Sequence, residues 1–381
     1  MSEVYITATS AFLPNAPVAN NDMERILGQL GDRPSRARRT VLRSNGIETR
    51  YYCIDPVTLK PTHTNASLTA AAVRALANDG FKLEETQCLA CGTSIADQLM
   101  PSHASMVHGE LGLAPLEAVA TTGVCLSGLA SLKYAYLNVA TGMHRNAVAT
   151  GSELSSAMMS ERNLRTESEA LIDQLEARGE LAFDRDFLRW MLSDGAGAFA
   201  LEPKPRAGRL NLRIDWIEMF SYAGAMETCM YAGAAKGADG RITGWTQMTP
   251  QERERNTILA VRQDVKLLNE HVMYYTVEKP LRTLQQKRGL KPESIDWFLP
   301  HYSSKFFRDK VYASMLQAGF DVPQNRWFTN LPWCGNSGSA SMYIIVDEFL
   351  RSERPQRGQR LLCYVPESGR FATGFMQLTV V

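Results

Sequence analysis

Three residues in this chain have side chains and settings suited to joint covalent chemistry: Cys125, His301 and Asn336. Cys125 lies in Thr121-Thr122-Gly123-Val124-Cys125-Leu126-Ser127-Gly128-Leu129-Ala130-Ser131, between an apolar run and a helical pattern. A cysteine at such a turn meets the unpaired N–H groups and dipole of a helix start, which favour thiolate over thiol. His301 ends the apolar stretch from Ile295, and side chains at the carboxyl ends of strands gather around ligands in α/β folds. His63, His103, His108, His144 and His271 read as loop or polar-helix residues. Asn336 opens Gly335-Asn336-Ser337-Gly338, either as a helix cap or as a neutral donor to a carbonyl oxygen. Together the three suit a two-substrate reaction. Cys125 takes an acyl group from a thioester, and His301 and Asn336 hold the enolate charge of a second thioester, whose carbanion attacks the acyl-cysteine. The order Cys, His, Asn also fits a cysteine hydrolase.

The elements that must position these residues occur twice. Ser127-Gly128-x-Ala130-Ser131 recurs as Ser337-Gly338-x-Ala340-Ser341. Each copy is followed by a helix (132–139 and 342–350) and then a strand (146–150 and 361–365). Each is preceded by a short apolar strand with a polar end, Cys88–Thr93 and Ile295–His301. A repeat of this order predicts a duplicated α/β half, with the two sites face to face. The halves are divided as 1–205, carrying the cysteine, and 206–381, carrying the histidine and asparagine. Strands are also expected over 3–9, 193–201 and 209–222. Helices are expected from Asn20, over 66–79 and 101–111, and as one long helix over 252–285 kinked at Pro280. The Gly195-Ala196-Gly197 step is discounted as a nucleotide loop because no helix follows it.

The composition excludes several classes. The formal net charge of +1 over 381 residues gives no bulk attraction to nucleic acid or membrane. No stretch has the length of a membrane span, and the start of the chain lacks the pattern of a signal peptide. Seven cysteines without framework spacing suit a reducing cytoplasm. Cys88 and Cys91 form a CxxC inside an apolar strand, where packing is expected rather than zinc or redox work, and no metal site is expected.

These motifs resemble the β-ketoacyl-acyl-carrier-protein synthase III group of the thiolase superfamily. The resemblance spans nearly the whole chain. It takes in the opening strand, Asn20-Asn21-Asp22-Met23-Glu24, Gly46-Ile47, the Cys125 turn, Gly151-Ser152-Glu153, Asp194-Gly195-Ala196-Gly197-Ala198, His301 and Gly335-Asn336-Ser337. It implies a five-layered αβαβα fold, a homodimer, a Cys125–His301–Asn336 triad, and substrates carried on the phosphopantetheine of an acyl carrier protein or coenzyme A, with no other cofactor. In the family the backbone N–H groups of Cys125 and of the glycine-rich turn, near Arg370, would form the oxyanion hole. Here that turn reads Glu367-Ser368-Gly369-Arg370-Phe371-Ala372-Thr373-Gly374, a departure from the pattern. No second catalytic cysteine stands there, which argues against a degradative thiolase.

Glu153 is either a surface or capping carboxylate or, if buried near Cys125, a base of raised pKa. A similar glutamate and a similar Pro366–Phe371 turn occur in the ketosynthase-cyclases of dialkylresorcinol and bacterial stilbene pathways, which close a cyclohexanedione ring. The helical insertion over 155–190 and the Met219–Met230 stretch imply a remodelled acyl pocket. A basic set, Arg36 and Arg43 with Lys305, Arg308 and Lys310, is the expected docking surface for an acidic carrier protein. The alternatives are a synthase III that uses a malonyl carrier, a thioester hydrolase, and an acyltransferase to alcohols or amines. The last would prefer a carboxylate at position 336.

Overall fold

The computed structural model describes residues 2–30, 38–163 and 188–381. Nine strands form the main sheet: β1 (Tyr5–Phe12), β2 (Cys88–Thr93), β3 (Glu117–Thr122), β4 (Ala147–Glu153), β5 (Gly195–Glu202), β6 (Leu212–Ser221), β7 (Trp297–Pro300), β8 (Arg360–Glu367) and β9 (Ala372–Val380). Their order is β7-β8-β9-β6-β1-β5-β4-β2-β3. The first half runs β3-β2-β4-β5-β1 and the second β7-β8-β9-β6, with matching directions. β2–β4 and β7–β8 are parallel, while β4–β5, β5–β1, β8–β9 and β9–β6 are antiparallel. The predicted duplication is therefore a repeat of topology. The second half replaces the edge strand β3 with a single parallel bridge, Phe298 to Trp327. The two halves join through only two β1–β6 residue pairs, Tyr5 with Arg213 and Ile6 with Leu212.

The principal helices are α1 (Asn65–Ala75), α2 (His103–Leu111), α3 (Ser127–Ala140), α4 (Val265–Met273), α5 (Lys279–Arg288), α6 (Arg308–Gln317) and α7 (Ser341–Ser352). Strand alternation sends each sheet face to a different layer. Cys88 and Ala90 of β2, and Leu361, Cys363 and Val365 of β8, meet α3 and α7 in a central layer. Leu89 and Cys91 meet α1 and α2 on one outside. Leu362 and Tyr364 meet α4, α5 and α6 on the other. This is the thiolase-like αβαβα arrangement. Interior strands buried on both faces read as the continuous apolar runs seen in the sequence.

The repeated small-residue motif lets the two central helix starts touch. A Cβ on Gly128 would lie 2.1 Å from the Ser339 carbonyl oxygen, and one on Gly151 would lie 2.2 Å from the same atom. Tyr343 of α7 donates to the Gly128 carbonyl at 2.8 Å. Gly197 has the same task in β5, where a Cβ would strike the Tyr343 Cβ at 2.3 Å. That explains the Gly195-Ala196-Gly197 step as packing. Gly128→Ala forces backbone apart at this crossing, so it is expected to destabilise the fold by about 2 kcal/mol or more. Its midpoint in urea unfolding should fall accordingly; an unchanged midpoint would contradict the packing argument.

The long helix expected over 252–285 is instead several elements. A helix over Pro250–Arg255 ends before Thr257, whose φ is 45°. Arg262–Gln263 then pair with Met230–Tyr231, and Asp264 caps α4 by accepting from Leu267 N at 3.0 Å. A π-helical turn, Tyr274–Glu278, leads into α5, and Pro280 sits in the first turn of α5, where its missing N–H costs little. The 155–190 insertion lies largely outside the described residues. The described edge holds a short helix, Ser155–Met159.

Candidate active site

The carboxyl ends of β2, β3, β4, β7 and β8 converge with the 335–340 segment. Cys125 lies in the turn after β3, immediately before α3, and keeps some exposure. His301 follows β7 and is buried, its N–H bonded to the Tyr364 carbonyl at 2.8 Å. Burial pushes its imidazole down to about 4, so the ring is neutral at neutral pH. Asn336 is buried and fixed through its backbone, its N–H donating to Met191 O at 3.1 Å and its carbonyl accepting from Ser193 N at 2.8 Å. Its Oδ1 accepts from Gly338 N at 3.0 Å, which orients the amide. Asn336 thus takes the turn role weighed from sequence, its side-chain oxygen held by the Gly338 N–H.

Glu153 closes the space between the halves. Its Oε1 accepts from Ser94 N at 2.8 Å and from Ser339 Oγ at 2.8 Å. The carboxyl is buried, and burial raises its pKa against these hydrogen bonds. It abuts Gly338, two residues from Asn336, and its charge acts on Cys125. This placement removes the surface alternative for Glu153, while its bonds to Ser94 N and to Ser339 N and Oγ fit the capping one.

The expectation of a thiolate at Cys125 is corrected. Burial pushes the thiol pKa up, and the charges of Glu153 and Glu367 push it further. Burial is the larger cause and the two carboxylates add to it, so the nucleophile rests as a thiol. Glu367 is the residue that sequence reasoning missed. It was legible only as a departure in the C-terminal turn, because its partners lie across the fold.

That turn is tied down on both sides. Gly369 O accepts from Cys229 N at 2.9 Å, and Phe371 holds a left-handed φ of 53° while its carbonyl accepts from Tyr222 N. A Cβ on Gly369 would lie 3.2 Å from Val124 Cγ2, so the turn borders the residue before Cys125. The Arg370 guanidinium, the source of doubt in the sequence, points away and donates to Met226 O at 2.7 Å.

The expected docking set divides. Arg36 lies outside the described residues. Arg43 and Lys305 are exposed, and their elements adjoin, since a Cβ on Gly46 would meet the Lys305 side chain at 2.8 Å. Arg308 is corrected: its guanidinium is spent on Gln324 and Tyr302 and lies over Trp327. Lys310 is also corrected, its ammonium sitting 3.9 Å from the Phe306 ring centre. His103 was discounted as polar-helix; it is buried and meets Ser152 Oγ at 3.1 Å.

All seven cysteines are free. Among the described residues one group has metal-ligand types close together, Cys88, Glu117 and His144, with ligand atoms within 4.8 Å of one another. It lies at the amino ends of β2 and β3, the opposite end from Cys125, and His144 already pairs with Glu117 at 2.7 Å. Among the described residues no helix is long and apolar enough to cross a membrane.

Residues 285–374, which hold His301, Asn336 and the Glu367 turn, match the family model described as 3-oxoacyl-[acyl-carrier-protein] synthase III C terminal. Along the sequence, the chain is 22% identical over 358 residues to a β-ketoacyl-[acyl-carrier-protein] synthase III of Hyphomonas neptunium, covering 94% of this chain and 93% of that protein. Among solved structures it resembles AbyA1, a tetronic acid condensing enzyme, with a TM-score of 0.72, 21% identity and 99% of each chain covered. It also resembles Xanthomonas campestris OleA, crystallised with lauric acid and lauroyl-CoA, with a TM-score of 0.72, 19% identity and 99% of each chain covered. The structures share the fold; the sequence relatives and the C-terminal match carry the class. The chain has a thiolase-like fold and is similar in sequence to the β-ketoacyl-[acyl-carrier-protein] synthase III enzymes, which are condensing acyltransferases.

Proposed function

We propose that the chain condenses acyl and β-ketoacyl thioesters through an acyl-Cys125 intermediate and closes the product to a cyclohexanedione, as in dialkylresorcinol and bacterial stilbene pathways. The observation that carries this reading is Glu153, a buried carboxyl of raised pKa beside Asn336 and within electrostatic reach of Cys125. A malonyl unit generates its enolate by losing carbon dioxide. A β-ketoacyl unit keeps its carbon and must lose a C–H proton, and that needs a base.

In the first half-reaction the Cys125 sulfur bonds to the thioester carbonyl carbon. The bond to the carrier sulfur breaks, and the thiol proton leaves with the carrier. The Cys125 N–H and the backbone N–H at Arg370 receive the carbonyl oxygen. In the second, Glu153 takes the α-proton of the incoming β-ketoacyl thioester. His301 and Asn336 hydrogen-bond its enolate oxygen, and the α-carbon attacks the acyl carbon and expels Cys125, whose sulfur regains a proton from Glu153. A second enolised carbon of the joined chain then attacks the remaining thioester carbonyl; that carbon–carbon bond closes the ring as the bond to the carrier sulfur breaks, and the carrier leaves as its thiol carrying the proton lost from that carbon. A second reading, a synthase III that uses a malonyl carrier, is supported by the sequence relatives, which are β-ketoacyl-[acyl-carrier-protein] synthase III enzymes.

Carrier docking rests on Arg43 and Lys305. Lys305→Glu should raise the KM for a carrier-bound substrate but not for its coenzyme A analogue. Homodimerisation rests on β3, an edge strand whose residues Glu117–Thr122 stay part-exposed along their length; sedimentation at the monomer mass would end that part of the proposal. The deciding experiment compares a pair of β-ketoacyl thioesters with an acyl plus malonyl pair. A cyclic product from the first pair supports the cyclase, a linear β-ketoacyl product from the second alone supports synthase III, and free acid alone supports hydrolysis. Glu153→Gln should still form acyl-Cys125 but lose about 100-fold in ring formation. Undiminished ring formation would take Glu153 out of the mechanism.

A further inference from the structure

One side chain links the β8–β9 turn to the nucleophile turn. Glu367, the last residue of β8, accepts through Oε2 from Val124 N at 2.9 Å and from Leu126 N at 3.1 Å. These two N–H groups flank Cys125. The Leu126 N–H is among those that a helix start leaves unpaired, the Val124 N–H lies in the turn just before it, and α3 has no side-chain cap of its own, since Leu126 occupies the cap position. The sequence leaves room for the carboxylate. A Cβ on Gly123 would stand 3.3 Å from Oε2, and one on Gly369 would stand 3.3 Å from Oε1. A carboxylate from 243 residues further along the chain therefore caps the nucleophile helix. It also takes two of the N–H groups that would otherwise be free to meet a thioester oxygen.

We propose that Glu367 is a positioning residue for acyl transfer: its carboxylate clamps the two peptide groups that flank Cys125 and places a fixed negative charge beside the thiol. The proposal rests on the acyl-Cys125 reading above. The charge matters because, among the described residues, the one other charge acting on the thiol is that of Glu153, from the end of β4. The 335–340 segment carries no ionisable side chain, and Arg370 turns its guanidinium to Met226. The clamp fixes the turn and opposes the helix dipole. It also leaves the Cys125 N–H as the donor from this turn for the carbonyl oxygen. Acyl transfer then proceeds with the thiol proton leaving on the carrier sulfur, with no separate thiolate stored beforehand.

Two substitutions separate position from charge. In Glu367→Gln the amide oxygen still accepts both N–H groups, but the charge is gone. In Glu367→Ala both are lost. The readout is alkylation of Cys125 by iodoacetamide across pH, followed by intact mass and peptide mapping, with acyl uptake from a thioester measured alongside. The half-alkylation pH of Glu367→Gln should fall by about one unit relative to the parent chain. Acyl uptake by Glu367→Gln should exceed that of Glu367→Ala at least about tenfold, the cost of releasing the turn. A Glu367→Gln alkylation profile that superimposes on the parent's, or equal acyl uptake by the two variants, would overturn the proposal. If Glu367→Ala does not fold, the Glu367→Gln profile still decides. Alkylation needs no substrate. A parent chain that takes up no acyl group would sink the proposed function, while the pH profile would still read Glu367.

Discussion

Cys125→Ala is expected to take up no acyl group from any thioester and to lose condensation by a factor on the order of 10⁴ or more. The expectation depends on the absence of a substitute as much as on the position of Cys125. Cys88 and Cys363 are packed into the central layer, and Cys53 and Cys91 into the outer one. Burial pushes the Cys88 and Cys91 thiols up to about 12. Cys334 is next to the Asn336 loop in sequence, but it is buried and its sulfur is turned to Glu348. Cys229 is buried against Asp264. Cys125 alone among the seven keeps exposure. Intact mass after incubation with an acyl thioester checks this directly: the parent chain gains one acyl mass and the variant gains none. An adduct of equal yield on the alanine variant would move the nucleophile elsewhere.

How much of this site was legible in the sequence follows from the range of the contacts involved. The Cys125 turn, the polar end at His301 and the Gly335-Asn336 turn are local signals, written within ten residues each and then written twice. The duplicated strand order follows from the same signals, because short apolar runs bounded by small residues specify buried parallel strands. The protonation state of Cys125 was not legible. It depends first on burial and then on Glu153 and Glu367, which reach it from other strands, so the local helix-start argument gave the wrong sign. The docking set was legible only in part. Arg308 and Lys310 read as solvated cations on a helix, yet Tyr302, Gln324, Trp327 and Phe306 engage them, while Arg43 and Lys305 are exposed. The long helix failed for a local reason: the cap at Asp264 and the positive φ at Thr257 interrupt a charged run that has helical composition throughout.

His301→Ala and Asn336→Ala should each keep the acyl-enzyme and lose about 10² to 10³ in carbon–carbon bond formation, the cost of one donor to a developing oxyanion. The division follows from charge. A neutral His301 can donate a hydrogen bond to an enolate oxygen but has little capacity to hold the proton of Cys125, so acylation does not depend on it. Asn336 has no ionisable group, and its amide is held by the Gly338 N–H. Acyl uptake read by mass, beside product formation read by chromatography, separates the two half-reactions. Loss of acylation in His301→Ala with condensation intact would reverse the assignment. The pH dependence gives a second check. His301 resists protonation down to about 4, whereas an imidazole in the unfolded chain takes its proton near 6.5. Between those values the unfolded state binds more protons, so burial of His301 favours the fold above about pH 6.5 and that contribution declines as pH falls toward 4. His301→Ala should flatten this part of the stability profile, and an imidazole that titrates near 6.5 in the folded chain would show that burial does not hold His301 in its neutral form below that pH.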